Sequence, residues 1–282
     1  LPGFIGGSAD LAPSNKTELN GMGDFPNGKN IHFGIREHSM ASITNGIANY
    51  GIFLPFCSTF FVFSDYMSPA VRVASLMKSK EFFIWTHDSI GVGEDGATHQ
   101  PIEQLTHFRA LPNFYTFRPA DANENVACWQ VALNLSAPSG FVLSRQNLTV
   151  LDIPSNKENI SKGGYLIKES NTPVVTLISS GSEVEVTLEA SYILDSLGIP
   201  ANVVSVPCFD LLLEQDKSYI DSLLGTKLSV AIEASRGLEW YRFADMVLGI
   251  DGFGASAPAE QLYQHFGFTP EQIASKVSAY LA

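Results

Sequence analysis

Apolar positions along the chain recur with two periods, and the alternation between them repeats down its length. Short apolar runs at residues 4–7, 31–35 and 51–56 read as strands, and 81–86 is apolar nearly throughout, as strands buried on both faces tend to be. Between these runs the spacing changes to three and four. Met40, Ile43, Ile47 and Tyr50 predict one helix, and Phe60, Phe63, Met67, Val71, Ala74 and Met77 predict another over residues 60–77. A glycine-rich loop, IGVGEDGATHQ, follows the fourth strand, and Pro101 is placed to open the next helix, where its missing N–H is tolerated best. Asp121, with Glu124 three residues on, forms a capping box ahead of a helix to Leu135, and residues 141–145 close the series as a strand.

Residues 146–162 are polar and aperiodic, with Pro154 and Asn156, and mark a boundary. The expected organisation is one domain over 1–147, a linker over 148–162 and a second domain over 163–282. In the second, strands fit 174–179, 201–206, 228–233 and 246–250, and helices fit 183–197, 216–224, 258–266 and 270–281, with Gly198 where a left-handed cap belongs. Strands separated by helix-length segments imply parallel sheets covered on both faces. The predicted fold is therefore α/β, two three-layer domains with mainly parallel sheets.

Composition narrows this further. At 282 residues the chain exceeds the usual single domain, in keeping with two. The 29 acidic against 17 basic residues leave a formal net charge of -12 and no lysine and arginine cluster, which argues against nucleic acid or an anionic membrane as partner. The most apolar run, 53–63, is broken by Pro55, Ser58 and Thr59 and is well short of the ~18 to 20 residues of a membrane span. Cys57, Cys128 and Cys208 are widely separated; they suit a reducing, cytoplasmic compartment and read as small core residues rather than a disulfide framework or zinc site. The chain opens Leu-Pro-Gly with neither methionine nor a signal-like segment, and is expected to be a piece of something longer.

Polar residues that follow the predicted strands of the first domain are the candidates for chemistry. Asp10 and Ser14, Glu37, His87 and Asp88, Asp95 and His99, and Arg145 would converge on the carboxyl edge of one parallel sheet, the edge where open α/β sheets bind ligands. Each has an ordinary reading alone. Glu37 would offset the positive end of a helix dipole, His87 or His99 would be hydrogen-bonded structural histidines, and Arg145 a surface ion pair. Phe60, Phe63 and Tyr66 would be core aromatics on a helix face, and the glycines of IGVGEDG would serve only their own turns. In the second domain, Ser180, Gly181 and Ser182 before a helix read as an anion cradle or as a plain capped helix start.

The ordered combination is more specific than any of its parts. GGSADLAPSN, HFGIREHSM, PFCSTFFVFSDY, THDSIGVGEDGATHQP and LSRQNL, with GFGASAPAEQL and HFGFT near the carboxyl end, resemble the transketolase family of thiamine-diphosphate enzymes in order and spacing over essentially the whole chain. The resemblance implies a pyrimidine-binding domain lacking its first part, followed by a transketolase C-terminal-type domain. It implies that Glu37 hydrogen-bonds a ring nitrogen of the cofactor's aminopyrimidine, since a carboxyl shielded from water can share a proton with a weakly basic ring. Phe60, Phe63 and Tyr66 match the pocket for that ring, where offset stacking adds to burial; Leu11 matches the residue holding the cofactor bent, and Asp10 one near the thiazolium. Ser14, His87 and Arg145 match the group that binds the sugar phosphate, Asp95 a residue that reads a substrate hydroxyl, and His99 a catalytic histidine near the reacting carbon.

The implied activity is transfer of a two-carbon ketol unit from a ketose phosphate to an aldose phosphate, as in the pentose phosphate pathway, on substrates of the xylulose 5-phosphate, ribose 5-phosphate and sedoheptulose 7-phosphate class. Dihydroxyacetone synthase and deoxyxylulose phosphate synthase are the neighbouring alternatives, and a non-catalytic dimerisation fragment is the alternative from another class. THDSIG followed by GEDGATHQP argues against the synthase that decarboxylates pyruvate. Two features depart from the family pattern. Diphosphate and Mg2+ or Ca2+ are held in the family mainly by an amino-terminal domain with a Gly-Asp-Gly motif, which these residues lack. The first helix of the pyrimidine-binding domain, with a further phosphate-binding arginine, is expected before Leu1. The family builds its site between this domain of one subunit and the diphosphate-binding domain of another, so a homodimer is implied. The chain alone is expected to be inactive, and its second domain to be structural.

Overall fold

The computed structural model describes residues 1–281. Its first unit is built on a six-stranded sheet of β1 (Phe4–Ser8), β2 (Asn30–His32), β3 (Leu54–Phe60), β4 (Phe82–Thr86), β5 (Tyr115–Phe117) and β6 (Ser139–Leu143), in the order β2-β1-β3-β4-β6-β5. Every pairing is parallel, and the register sets Ser8 opposite His32 and Ser58, Phe60 opposite Thr86, and Thr86 opposite Leu143. The carboxyl ends of five strands thus finish along one edge. Helices α1 (Ala12–Asn15), α2 (Glu37–Tyr50), α3 (Ser64–Met77), α4 (Gln104–Arg109) and α5 (Ala122–Ala132) connect them.

Alternate residues of β4 serve opposite faces. Phe83 and Trp85 pack with Met40, Phe61, Met67, Val71 and Phe108 on one side, and Phe82 and Ile84 with Phe56, Phe117, Cys128 and Phe141 on the other. Both faces are buried, which explains the nearly unbroken apolar run. Each such aromatic contributes on the order of 1.5–3 kcal/mol by burial.

Local structure departs from the periodic reading in a few places. β3 runs on to Phe60 and is followed by a single 3-10 turn at Phe61–Phe63, so the helix expected over 60–77 starts only at Ser64. Pairing of Phe60 with Thr86 wins over helical propensity there. α4 starts three residues after Pro101. Asp121 does cap α5, accepting from the Glu124 N–H at 2.8 Å, but the Glu124 carboxylate reaches back to the N–H of Ala120 instead of closing the box on Asp121. Burial pushes that carboxyl up to about 7 even though Tyr165 and Ser205 also donate to it.

The second unit carries β7 (Tyr165–Lys168), β8 (Val175–Ser179), β9 (Ala201–Ser205), β10 (Leu228–Ile232) and β11 (Met246–Leu248) in the order β11-β10-β8-β9-β7. Only β7 runs antiparallel, against β9. Its helices are α6 (Lys157–Ser161), α7 (Glu183–Ser196), α8 (Phe209–Leu213), α9 (Lys217–Leu224), α10 (Ala259–Phe266) and α11 (Pro270–Leu281). α6 lies in the stretch read as aperiodic, where Asn156 caps it by accepting from the Asn159 N–H at 3.0 Å. Ile90 and Ile102 of the first unit sit in the core of the second, and Tyr165 and Cys208 of the second sit in the core of the first. All three cysteines are free and buried. No helix among the described residues is long and apolar enough to cross a membrane.

Candidate active site

The candidates all emerge from the carboxyl edge of the first sheet. After β1 the chain turns at Asp10, whose φ of 63° is left-handed, a conformation aspartate tolerates better than most residues. The Leu11 N–H donates to Ser8 Oγ at 2.9 Å, which starts α1 and sets Ser14 at the surface. Behind Ser14, buried Asn15 accepts from the Thr86 hydroxyl at 2.8 Å, and that same oxygen lies 2.9 Å from His87 Nδ1. Two loops are thereby tied together at one edge.

Phe60, Phe63 and Tyr66 step outward from the end of β3 into α3. Phe60 and Phe63 are nearly parallel with ring centroids 6.0 Å apart, as are Phe63 and Tyr66. At the inner end His87 stacks on Phe60 at 3.6 Å, and part-way along, the His99 ring meets Phe63 edge-on at 5.4 Å. The row runs from buried Phe60 to Tyr66, which is 65% exposed. Five predicted site residues are in this way brought into one aromatic ladder.

His87 is buried and carries a φ of 64°. Burial, and then the positive charge of Arg145, hold its imidazole down at about 4, so it is neutral at physiological pH. Asp95 pulls the other way, which places both charged residues within electrostatic reach of the ring. Next to Arg145, Gln146 packs on Gly91, where a Cβ would meet its side chain at 2.4 Å. Asp95 ends the short 3-10 segment Ile90–Asp95, flanked by Gly93 and Gly96, both at positive φ. Gln100 pins this loop, donating to Gly93 O at 2.8 Å and Ala255 O at 2.9 Å.

Glu37 is the first residue of α2, consistent with a dipole role, but it is only 8% exposed. A glutamate serving the dipole alone has no reason to leave water. Among the described residues no donor hydrogen-bonds its carboxylate, whose oxygens keep some surface access, so a largely buried residue presents an unpaired acceptor to a ligand. Among the described residues no hydrogen bond joins Glu37, Asp10, Leu11 or Ser14 to the aromatic ladder; they share its edge.

The turn Ser180–Ser182 is neither of the things expected of it. The Ser182 side chain makes no cap, and the turn closes around the guanidinium of Arg118 rather than an anion. Asn15, Thr86, Gln100 and Arg118 are the supporting residues that sequence reasoning missed. Their partners lie 71, 155 and 62 positions away for Thr86, Gln100 and Arg118, and no local pattern could have announced them.

Residues 1–150 match the family model described as transketolase, pyrimidine binding domain, and residues 163–269 match that of the transketolase-like TK C-terminal domain. The chain belongs to the transketolase family. It is 46% identical over 290 residues to the transketolase of Staphylococcus aureus strain MW2, an alignment covering 98% of this chain and 44% of that protein. Among solved structures it resembles the transketolase of Campylobacter jejuni, with 55% identity and a TM-score of 0.96 over 99% of this chain and 44% of that one. A Pichia stipitis transketolase in complex with sedoheptulose-7-phosphate superposes with a TM-score of 0.96 at 39% identity, covering 99% of this chain and 43% of that one. The chain thus spans less than half the length of these transketolases. A shorter likeness is a split gene transketolase described as an inactive beta4 tetramer, with a TM-score of 0.80 and 25% identity over 99% of this chain and 92% of that one. Family membership implies thiamine diphosphate with a metal ion. The exposed aromatic shelf and the unpaired acceptor of Glu37 fit the flat, nitrogen-bearing end of that cofactor.

Proposed function

We propose that this chain supplies the pyrimidine-binding half of a thiamine-diphosphate-dependent site that transfers a two-carbon ketol unit from a ketose phosphate to an aldose phosphate, as in the pentose phosphate pathway. The observation that carries the reading is the ladder Phe60–Phe63–Tyr66, with His87 and His99 against it, on the same sheet edge as the unpaired carboxylate of largely buried Glu37. When bound, the cofactor supplies a carbon nucleophile for the ketose carbonyl. Phe63 and Tyr66 offer ring faces on which its pyrimidine stacks, Leu11 and Asp10 bound it at the end of β1, and Glu37 holds a proton between its own carboxylate and a ring nitrogen. His99 stands beside the shelf to exchange a proton with the substrate oxygens. Neutral His87, the Arg145 guanidinium and the Ser14 hydroxyl receive the sugar phosphate, and Asp95 accepts from a sugar hydroxyl.

Among the described residues no group of three His, Cys, Asp or Glu is clustered to hold a metal. The diphosphate and its Mg2+ or Ca2+ are assigned to a diphosphate-binding half elsewhere, as the transketolase resemblance implies. Residues 1–147 and 163–282 are taken as the two domains, joined by 148–162. Exposed Ile43 and Tyr50 on α2, with Val73, Leu76 and Met77 on α3, support a second copy of the chain packing there as a homodimer. Free buried cysteines fit a reducing, cytoplasmic setting. The chain alone is inactive in this reading, and the likeness to an inactive split-gene transketolase chain supports it. Turnover of xylulose 5-phosphate with ribose 5-phosphate is expected only when a polypeptide carrying the diphosphate-binding half is added to the purified chain, cofactor and magnesium. Turnover without it, or none with it, contradicts the reading.

A further inference from the structure

Asp88, the residue after His87, is held by a guanidinium whose other partners belong to the second unit. Arg118 is fully buried; its Nη2 and Nε donate to Asp88 Oδ2 at 2.7 and 3.1 Å, and its Nη1 donates to Ser180 O at 2.8 Å and to Glu183 Oε2 at 2.6 Å. Gly181, at φ 61°, is wrapped so closely around it that a Cβ there would meet Arg118 Cγ, Nε and Cζ at 2.7 Å. Only glycine closes this turn. Ser89 extends the hold, its Oγ lying 3.3 Å from Tyr263 OH, and Ser256 Oγ donates to Glu94 O at 2.6 Å from the far side of the glycine-rich loop. His87 meanwhile occupies a left-handed backbone conformation, uncommon outside glycine, which persists only where the surroundings over-determine it.

We propose that Arg118 and Asp88 are positioning residues: their ion pair roots the His87 turn in the second unit, so that the carboxyl-terminal unit sets where His87 stands on Phe60 and therefore how the site receives its phosphorylated substrate. The last step rests on the function proposed above; the anchoring does not. The second unit thus contributes to the site without touching substrate.

The geometry also indicates a variant that folds. Four carboxylates, Asp88, Glu183, Glu233 and Glu239, face two guanidiniums, Arg109 and Arg118, in this buried network. Asp88→Asn removes a surplus negative charge and leaves Arg118 paired to Glu183 and Glu233. The test measures the rate at which diethyl pyrocarbonate modifies His87 in the full chain, read by peptide mass spectrometry against exposed His107 and His265. Since His87 is neutral at pH 7 with or without Asp88, a change in rate reports exposure rather than charge.

Asp88→Asn is expected to raise the His87 rate about tenfold, and Ser182→Ala, which removes the hydroxyl 3.2 Å from Arg118 Nη2, about threefold. Tyr165→Phe breaks a buried bond between the units, 2.8 Å to Glu124, away from His87, and is expected to leave the rate unchanged. An unchanged His87 rate in both Asp88→Asn and Ser182→Ala, or an equal rise in Tyr165→Phe, overturns the proposal. In the assembled enzyme Asp88→Asn should raise KM for the donor sugar phosphate about tenfold with kcat within about threefold. A raised His87 rate with KM unmoved upholds the anchoring and instead overturns the assignment of His87 to the sugar phosphate.

Discussion

Glu81, just ahead of β4, offers a quantitative test of the packing that supports the site. Its side chain has no solvent exposure and neither carboxylate oxygen has a hydrogen-bond partner among the described residues. Burial pushes its carboxyl from 4.5 up to about 9, so the folded protein keeps it protonated at neutral pH while the unfolded chain does not. For a carboxyl raised in this way, the stability contribution is fully present below 4.5 and is lost as pH rises toward 9. At pH 8 the unfolded chain has gained three and a half pH units of ionisation, which at ~1.4 kcal/mol per unit amounts to an upper bound of about 5 kcal/mol. Glu81→Gln keeps the shape and removes the proton. Urea unfolding at intervals between pH 5 and 8 should show the variant gaining on the parent at ~1.4 kcal/mol per pH unit. Burying the amide adds only an offset that does not vary with pH. A difference that stays flat across this range refutes the reasoning, whatever its absolute size.

Other consequences follow from the same contacts. Phe63→Ala removes the middle of the aromatic ladder, and should weaken thiamine diphosphate binding by the assembled enzyme by about ten- to a hundredfold in titration calorimetry, with little change in unfolding temperature because the ring is half-exposed. Glu233 carries the opposite pH signature to Glu81: burial alone would raise its carboxyl, but Arg109 and then Arg118 outweigh that and hold it at about 2. Its stabilisation is therefore present above 4.5 and lost as pH falls toward 2, and Glu233→Gln should flatten the decline in melting temperature between pH 5 and 3.

The alternation of strand and helix was legible because nearly every long element buries one face against a sheet, which fixes its period. What escaped was short or held by distant partners. β5 is three residues lying between Pro112 and Pro119, and β7 follows Gly163 and Gly164 as an antiparallel edge strand; neither is long enough to display a period. α1 is four residues, started by Ser8 Oγ on the Leu11 N–H. The residues proposed for the site could be picked out from sequence, since Glu37, Phe63, Tyr66 and both histidines follow strand ends and Phe60 closes β3. Its supports were not. Nothing near Arg118 in sequence distinguishes it from a surface arginine, and only the fold shows that the Ser180–Ser182 turn is shaped for a guanidinium.

The central claim, that this chain presents the carboxylate acting on the cofactor's pyrimidine ring, is tested most directly by exchange of the thiazolium C2 proton of thiamine diphosphate. The measurement compares the parent chain and Glu37→Ala, each assembled with a diphosphate-binding half and saturated with cofactor. The account predicts exchange slowed by at least about a hundredfold in the variant, equivalent to a loss of ~2.7 kcal/mol, with cofactor affinity reduced far less. Exchange at the parent rate would mean that Glu37 only offsets its helix dipole, and would contradict the account.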